Sequence, residues 1–299
     1  MSAWRSCKNM IKRIPGAETA YRIWRDILRE PLNRGQRSKL LARYARWHLW
    51  DKPRQRTTTV TLQNGMLSLV HPDSDSGEAN IFTVNVDYND NAFVRKHLEA
   101  GDFIIDAGCN VGNRTLVLAD IIGGALLVDA NPLCLGRARE NIELNGLDPA
   151  RFHFVAKAVG SCPGVVRFTG LGGTSTINRI PAPGETEVET VEVERSTLDL
   201  EWAALGRPPC TFLKLDLEGH DYDALLGARE LLSSPDMRLV RFERLPGDEL
   251  AKYQRLFDDI GWCLFTLEDR GLPTREAGAL RNSRNLLAMP RSLLEETLD

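Results

Sequence analysis

Four carboxylates stand where apolar runs end: Asp106 after FII, Asp129 after ALLV, Asp216 after FLKL and Glu243 after LVRF. In an open α/β sheet such positions face the crevice beyond the carboxyl ends of the strands, where ligands bind. Asp106 runs into a turn with Gly108 and Gly112 and then a helical pattern, so residues 102–113 read as the first crossover of such a sheet. Asp129 follows the glycines by about 20 residues, the spacing at which an acid accepts hydrogen bonds from the two hydroxyls of a ribose. A nucleoside ligand is expected.

The glycine spacing narrows the choice. A dinucleotide fingerprint beginning at Gly108 would need glycines at 110 and 113, and Asn110 and Asn113 stand there. No phosphate-loop pattern occurs either, so a nucleoside without phosphates fits better. S-adenosylmethionine is such a molecule. Its ribose suits Asp129, its ammonium suits an acid such as Asp106 directly or through water, and its carboxylate suits backbone N–H groups at a helix start. The expected cofactor-binding set is Asp106, Gly108, Asn110, Gly112, Asn113, Asp129, Ala130 and Asn131.

A methyl acceptor that carries a proton also needs a group to take it, and a positioned base typically contributes about 10²- to 10⁴-fold. Asp216, Glu218, His220 and Asp221 crowd into six residues. Of these Asp216 and His220, together with Glu243, are the expected catalytic residues. Asp216 and Glu243, ending adjacent parallel strands, are also the candidate ligands for a Mg²⁺ ion. Each has a plainer reading: Lys214 and Asp216 as a structural ion pair at the sheet edge, Glu218 and Gly219 as shapers of a turn, His220 as a surface or hydrogen-bonded residue.

Five strings occur in order: IIDAGCNVGN at 104–113, VDANP at 128–132, ENIELNGL at 140–147, STLDL at 196–200 and LKLDLEGHDYDALLGA at 213–228. Together they resemble the FkbM family of class I S-adenosylmethionine-dependent methyltransferases, over roughly residues 90–290. The family usually has Glu where Asp129 stands, and Ala and Glu where His220 and Asp221 stand. The resemblance implies an α/β fold: a Rossmann-like seven-stranded methyltransferase sheet with helices on both faces, its last two strands antiparallel. It also implies S-adenosylmethionine as donor and a hydroxyl of a sugar, glycolipid or natural product as acceptor. N-methylation and a catalytically silent binding module are the alternatives.

Periodicity supplies the elements that hold these residues. Strands are expected at 125–130, 152–159, 211–217, 237–243, 262–268 and 284–289, with helices at 111–122, 132–145, 222–232 and 248–260. Asn131, Pro132 and Gly146 mark the ends of the second helix. Extended segments at 164–168 and 188–195 flank a polar loop, 170–186, read either as a ligand cover or as an idle hairpin tip. Residues 57–70 alternate around Asn64-Gly65, a hairpin signal in which both turn residues take positive φ.

The chain has 299 residues, 42% of them hydrophobic, enough to bury a full core. Its six cysteines form no C-x-x-C pair and no signal-peptide pattern is read, so a cytoplasmic location is expected. Residues 1–56 carry 15 Lys or Arg against four acids, a formal +11, which leaves −14 on the rest. Apolar stripes at Ala20, Ile23, Trp24, Ile27, Leu28 and at Leu40, Leu41, Tyr44, Trp47 make this segment a basic amphipathic helical extension. Docking on the catalytic domain, homo-oligomer pairing and peripheral contact with the inner face of a membrane are its candidate roles; a nucleic-acid partner is not expected. The expected division is 1–56 extension, 57–100 hairpin and lead-in helix, 101–299 methyltransferase domain.

Overall fold

A computed structural model describes residues 21, 23–29, 33–83, 87–169, 179–181, 189–268 and 271–298. The chain forms two compact units, Met1–Val86 and Asp87–Asp299. The extension and the hairpin therefore share one unit, and the lead-in helix belongs to the other.

In the first unit a π-helical segment Ile23–Leu28 precedes the α-helix Arg37–Arg46, which continues through a π-helical turn Trp47–Asp51. The strands β1 (Thr58–Thr61) and β2 (Leu67–Val70) pair antiparallel, and a helix Asp75–Phe82 follows. Ser74 caps that helix by accepting from the N–H of Gly77. The hairpin turn differs from expectation. Only Gly65 has positive φ, because the loop holds three residues: Gly65 N–H bonds to Leu62 and Leu62 N–H to Met66. A type I turn closed by one left-handed residue needs glycine only at that last position.

The apolar stripes of the extension are spent mostly inside this unit. Ile27, Leu40 and Tyr44 form one buried cluster, and Trp47 packs with Val60, Val70 and Ile81 in another. The indole N–H of Trp47 donates to Glu78 at 3.0 Å. Trp24 is left exposed, as are Leu49 and Trp50. Ala20 lies outside the described residues.

The second unit is built on an eight-stranded sheet. Its strands in chain order are β3 (Phe103–Ala107), β4 (Gly124–Val128), β5 (Phe152–Val155), β9 (Cys210–Leu215), β10 (Leu239–Glu243), β11 (Trp262–Leu267), β12 (Pro273–Thr274) and β13 (Asn285–Pro290). Across the sheet the order is β12-β11-β13-β10-β9-β3-β4-β5. Five neighbours, β10 to β5, run parallel, and β13 is antiparallel to both β10 and β11. The eighth strand, beyond the seven expected, is a two-residue edge made where the chain folds back after Leu267 through Gly271. Its proline sits where a missing ladder donor costs least.

The expected strand 152–159 is split. Its second half, β6 (Ala158–Val159), leaves the main sheet to pair with β8 (Thr190–Ser196), which also pairs with β7 (Gly164–Thr169). The expected helix 222–232 is likewise two, Asp221–Leu226 and Arg229–Leu232. A side chain at Gly227 between them would meet the Gly160 carbonyl oxygen at 2.0 Å. Strands β3, β9 and β10 contribute Ile105, Leu213, Val240 and Phe242 to a core shared with Trp202, Leu225, Tyr253 and Phe257.

The chain progresses from β3 outward to β4 and β5, then returns to place β9 on the other side of β3. That reversal is a topological switch point, and it puts the ends of β3, β4, β9 and β10 side by side. Among the described residues no helix is long and apolar enough to cross a membrane.

Candidate active site

The glycine turn after β3 is shaped by close backbone approach. Gly108 has φ +69°, and a Cβ there would lie 2.0 Å from the Asp216 carbonyl oxygen, so glycine alone lets the ends of β3 and β9 meet. Asn110, left-handed at φ +49°, turns its N–H onto Asp129 Oδ2 at 2.9 Å. Gly112, also left-handed, precedes the helix Asn113–Leu118.

Asp129 lies just past β4 and fastens two loops, its other oxygen accepting from the N–H of Asn131 at 2.9 Å. Burial raises its pKa, and the two backbone amides oppose that rise. The carboxylate stays half-buried, with lone pairs left over for a ligand. Asn131 in turn caps the helix Pro132–Leu144, accepting from Leu133 N–H, and Ala130 is buried beside it.

Asp106 occupies a different position. It is fully buried, with Oδ2 accepting from Thr115 at 2.9 Å and Oδ1 lying 3.1 Å from Lys214 Nζ. Both oxygens serve the interior, so a donor's ammonium would reach this acid only through its neighbours. Lys214 also donates to the Gly108 carbonyl at 2.6 Å and lies 3.8 Å from Asp216. Burial acts to lower the Lys214 pKa, but Asp106 and Asp216 outweigh it and the pKa ends up raised. The lysine is thus central in the sheet rather than at its edge, and Asp106 is its nearer partner. It ties the β3 and β9 ends together.

The acids beyond β9 and β10 converge. Asp216, Glu218 and Glu243 offer carboxylate oxygens all within 4.8 Å of one another. Two of the three already face fixed cations: Asp216 lies 3.8 Å from both Lys214 and Arg241, and Glu243 binds Arg284 at 2.6 Å. Arg241 is itself buried and held by Asp90 at 3.3 Å. A divalent ion would have to displace these cations, so the set does not fit the expected Mg²⁺ as it stands. Glu218 has no ion pair or hydrogen bond among the described residues, and its backbone is left-handed at φ +50°. Burial, with Asp216 and Glu243 alongside, pushes its carboxyl up to about 7.

Asp221 is a staple rather than a reagent. Fully buried, it accepts from Leu217 N–H at 3.1 Å and Glu243 N–H at 2.8 Å, locking the two strand-end loops together.

The family model for the methyltransferase FkbM domain matches residues 106–260. The chain belongs to the FkbM methyltransferase family.

Among solved structures it is similar to an FkbM methyltransferase from Methylobacillus flagellatus KT. Identity is 14% with a TM-score of 0.43, covering 64% of this chain and 43% of that one. A SAM-dependent methyltransferase from Agrobacterium tumefaciens gives 13% identity and a TM-score of 0.43, covering 79% of this chain and 70% of that one. A 52-residue stretch, 17% of this chain, is 40% identical to the 23S rRNA (uracil(1939)-C(5))-methyltransferase RlmD of Xanthomonas euvesicatoria. The match spans only 12% of that curated relative's length.

Within this FkbM chain, Asp216 and Glu243 of the expected catalytic residues come together, but His220 faces elsewhere. It bonds the Ile180 backbone and sits near Asp223, Arg179 and Arg195, and burial lowers its pKa. Ile180 belongs to the short described part of the polar loop and packs against the cluster containing Ala130 and Phe168. The rest of that loop, 170–178 and 182–186, lies outside the described residues. Sequence reasoning passed over Arg241 and Arg284, and read Glu218 also as a turn residue. The signal for Arg241 was a cation inside the apolar strand LVRFE, which has to meet acids once buried.

Proposed function

We propose that this chain is an S-adenosylmethionine-dependent O-methyltransferase acting on a hydroxyl of a sugar, glycolipid or natural product. One observation carries the reading: of three clustered carboxylates at the switch point, only Glu218 forms no ion pair among the described residues. Like charges this close cannot all ionise freely, and the unpaired member takes the proton. A carboxyl with pKa about 7 is matched to receive a proton from a hydroxyl near neutral pH.

Gly108, Asn110, Asp129 and Asn131 are the residues that would hold the donor, with Asp129 toward the ribose. Bound there, S-adenosylmethionine supplies an electrophilic methyl on a sulfonium. Glu218 would accept the proton that the acceptor hydroxyl gives up on methylation. Lys214 and Arg241 each lie 3.8 Å from Asp216, and Arg284 pairs with Glu243 at 2.6 Å. Most of the rate gain is expected from alignment of acceptor and donor, worth roughly 7–11 kcal/mol.

The test compares mass spectra of extracts from cells with and without the protein, after incubation with S-adenosylmethionine. The expected product carries one added CH₂ on oxygen. A methyl on nitrogen would replace the O-methyl reading, and no donor binding with no product would leave a silent module.

A further inference from the structure

We propose that the turn carrying Leu49 and Trp50 inserts into the interface of an anionic membrane. Leu49 is 76% exposed and Trp50 52%, adjacent in the π-helical turn Trp47–Asp51. Folding of the unit does not need them outside: Trp47, three residues earlier, already fills its core and satisfies its N–H on Glu78.

The surroundings are cationic. From 46 to 56 the chain places Arg46, Lys52, Arg54 and Arg56; Arg46 pairs with the buried Asp51 at 3.0 Å and Lys52 with Glu78 at 2.7 Å, which leaves the charge of Arg54 and Arg56. The Arg54 guanidinium lies 3.7 Å from the Trp50 ring centroid and donates to the Leu49 and Trp50 carbonyls. Neither Arg54 nor Arg56 has a carboxylate partner among the described residues. An apolar pair crowned by unpaired arginines matches the acyl–headgroup boundary, where the side chains enter the apolar layer and the guanidiniums meet lipid phosphates.

Charge decides the occupant. A two-fold contact with a second copy would bring Arg54 and Arg56 against their own images, since an isologous interface opposes the same patch to itself. Nucleic acid would answer the arginines but leave Leu49, the most exposed large apolar side chain among the described residues, in water. An anionic bilayer answers both, and the +11 of residues 1–56 adds attraction of the same sign.

The full chain is sedimented with vesicles of phosphatidylcholine alone or mixed with phosphatidylserine, across a salt series. Binding is expected only with phosphatidylserine, fading as salt rises. The double variant L49S/W50S should bind about tenfold or more weakly, because two apolar side chains no longer leave water. R54Q/R56Q should flatten the salt dependence. Val165→Ser, which removes an exposed apolar side chain in the other unit, should bind like the wild type. Matching thermal unfolding of variants and wild type confirms the fold. Unchanged binding by L49S/W50S overturns the proposal, as does absence of binding to phosphatidylserine vesicles. A concentration-dependent dimer that L49S/W50S abolishes, without vesicle binding, assigns the patch to a second copy instead.

Discussion

Replacing Glu218 by Gln should do two things at once, and the pair is more telling than either. The carboxyl is raised from 4.5 to about 7 in the folded chain. A folded pKa above the unfolded one contributes stability that is complete below pH 4.5 and is lost as pH rises through 7, because the folded state then releases a proton it had held more tightly. That shift corresponds to roughly 3 kcal/mol at 1.36 kcal/mol per unit, and solvent screening of this half-buried group reduces it to about 1–2 kcal/mol. Glutamine has no proton to lose. The variant should therefore gain on the wild type between pH 5 and pH 8 by about 1–2 kcal/mol, read by urea unfolding at both pH values. The same variant should bind S-adenosylmethionine normally yet turn over about 10²- to 10⁴-fold more slowly, and the rise of wild-type activity through pH 7 should vanish. Turnover within threefold of wild type, or a stability difference that does not change with pH, would refute the assignment.

Asp129→Ala removes charged hydrogen bonds worth about 1.5–3 kcal/mol each, so calorimetry should show donor affinity falling tenfold or more, while Asp148→Ala leaves it unchanged. Lys214→Met strands the fully buried Asp106 and should cost about 3–5 kcal/mol in urea unfolding, part of which Asp106→Asn restores in the double variant. A cost under about 1 kcal/mol would mean that the pair is not a structural clamp. Gly108→Ala meets the Asp216 carbonyl and a left-handed backbone, and its thermal unfolding should show a loss of more than about 2 kcal/mol. Gly136→Ala, in a helix with no atom within 4 Å of the new methyl, should instead gain about 0.5–1 kcal/mol.

The strands that carry the site were legible because their apolar runs stop on acids and glycines, features set by neighbours in sequence. The glycine turn was legible as a turn, and the place of Asp129 followed from spacing. What escaped depended on pairings distant in the chain. Asp106 looks like a ligand acid until β9 is seen beside β3, when Lys214 claims it. Glu218 looks like one acid among four until Arg241 and Arg284 are found to have taken its neighbours. In the extension, the stripe Leu40, Tyr44, Trp47 was correctly apolar and inward. The π-helical turn then broke the 3.6-residue phase, burying Asp51 and exposing Leu49 and Trp50.

Because the seam between β3 and β9 is closed by Lys214 and by the Gly108–Asp216 backbone contact, anyone grafting a new acceptor specificity onto this scaffold inherits a boundary condition. Loops following β9 and β10 can be exchanged as one cassette, since Asp221 laces them to each other. Lys214 has to remain with the host, because it is the counterion of Asp106. A chimera cut upstream of that lysine, importing a strand without it, would leave a buried aspartate unanswered and fail in folding before its chemistry could be assayed.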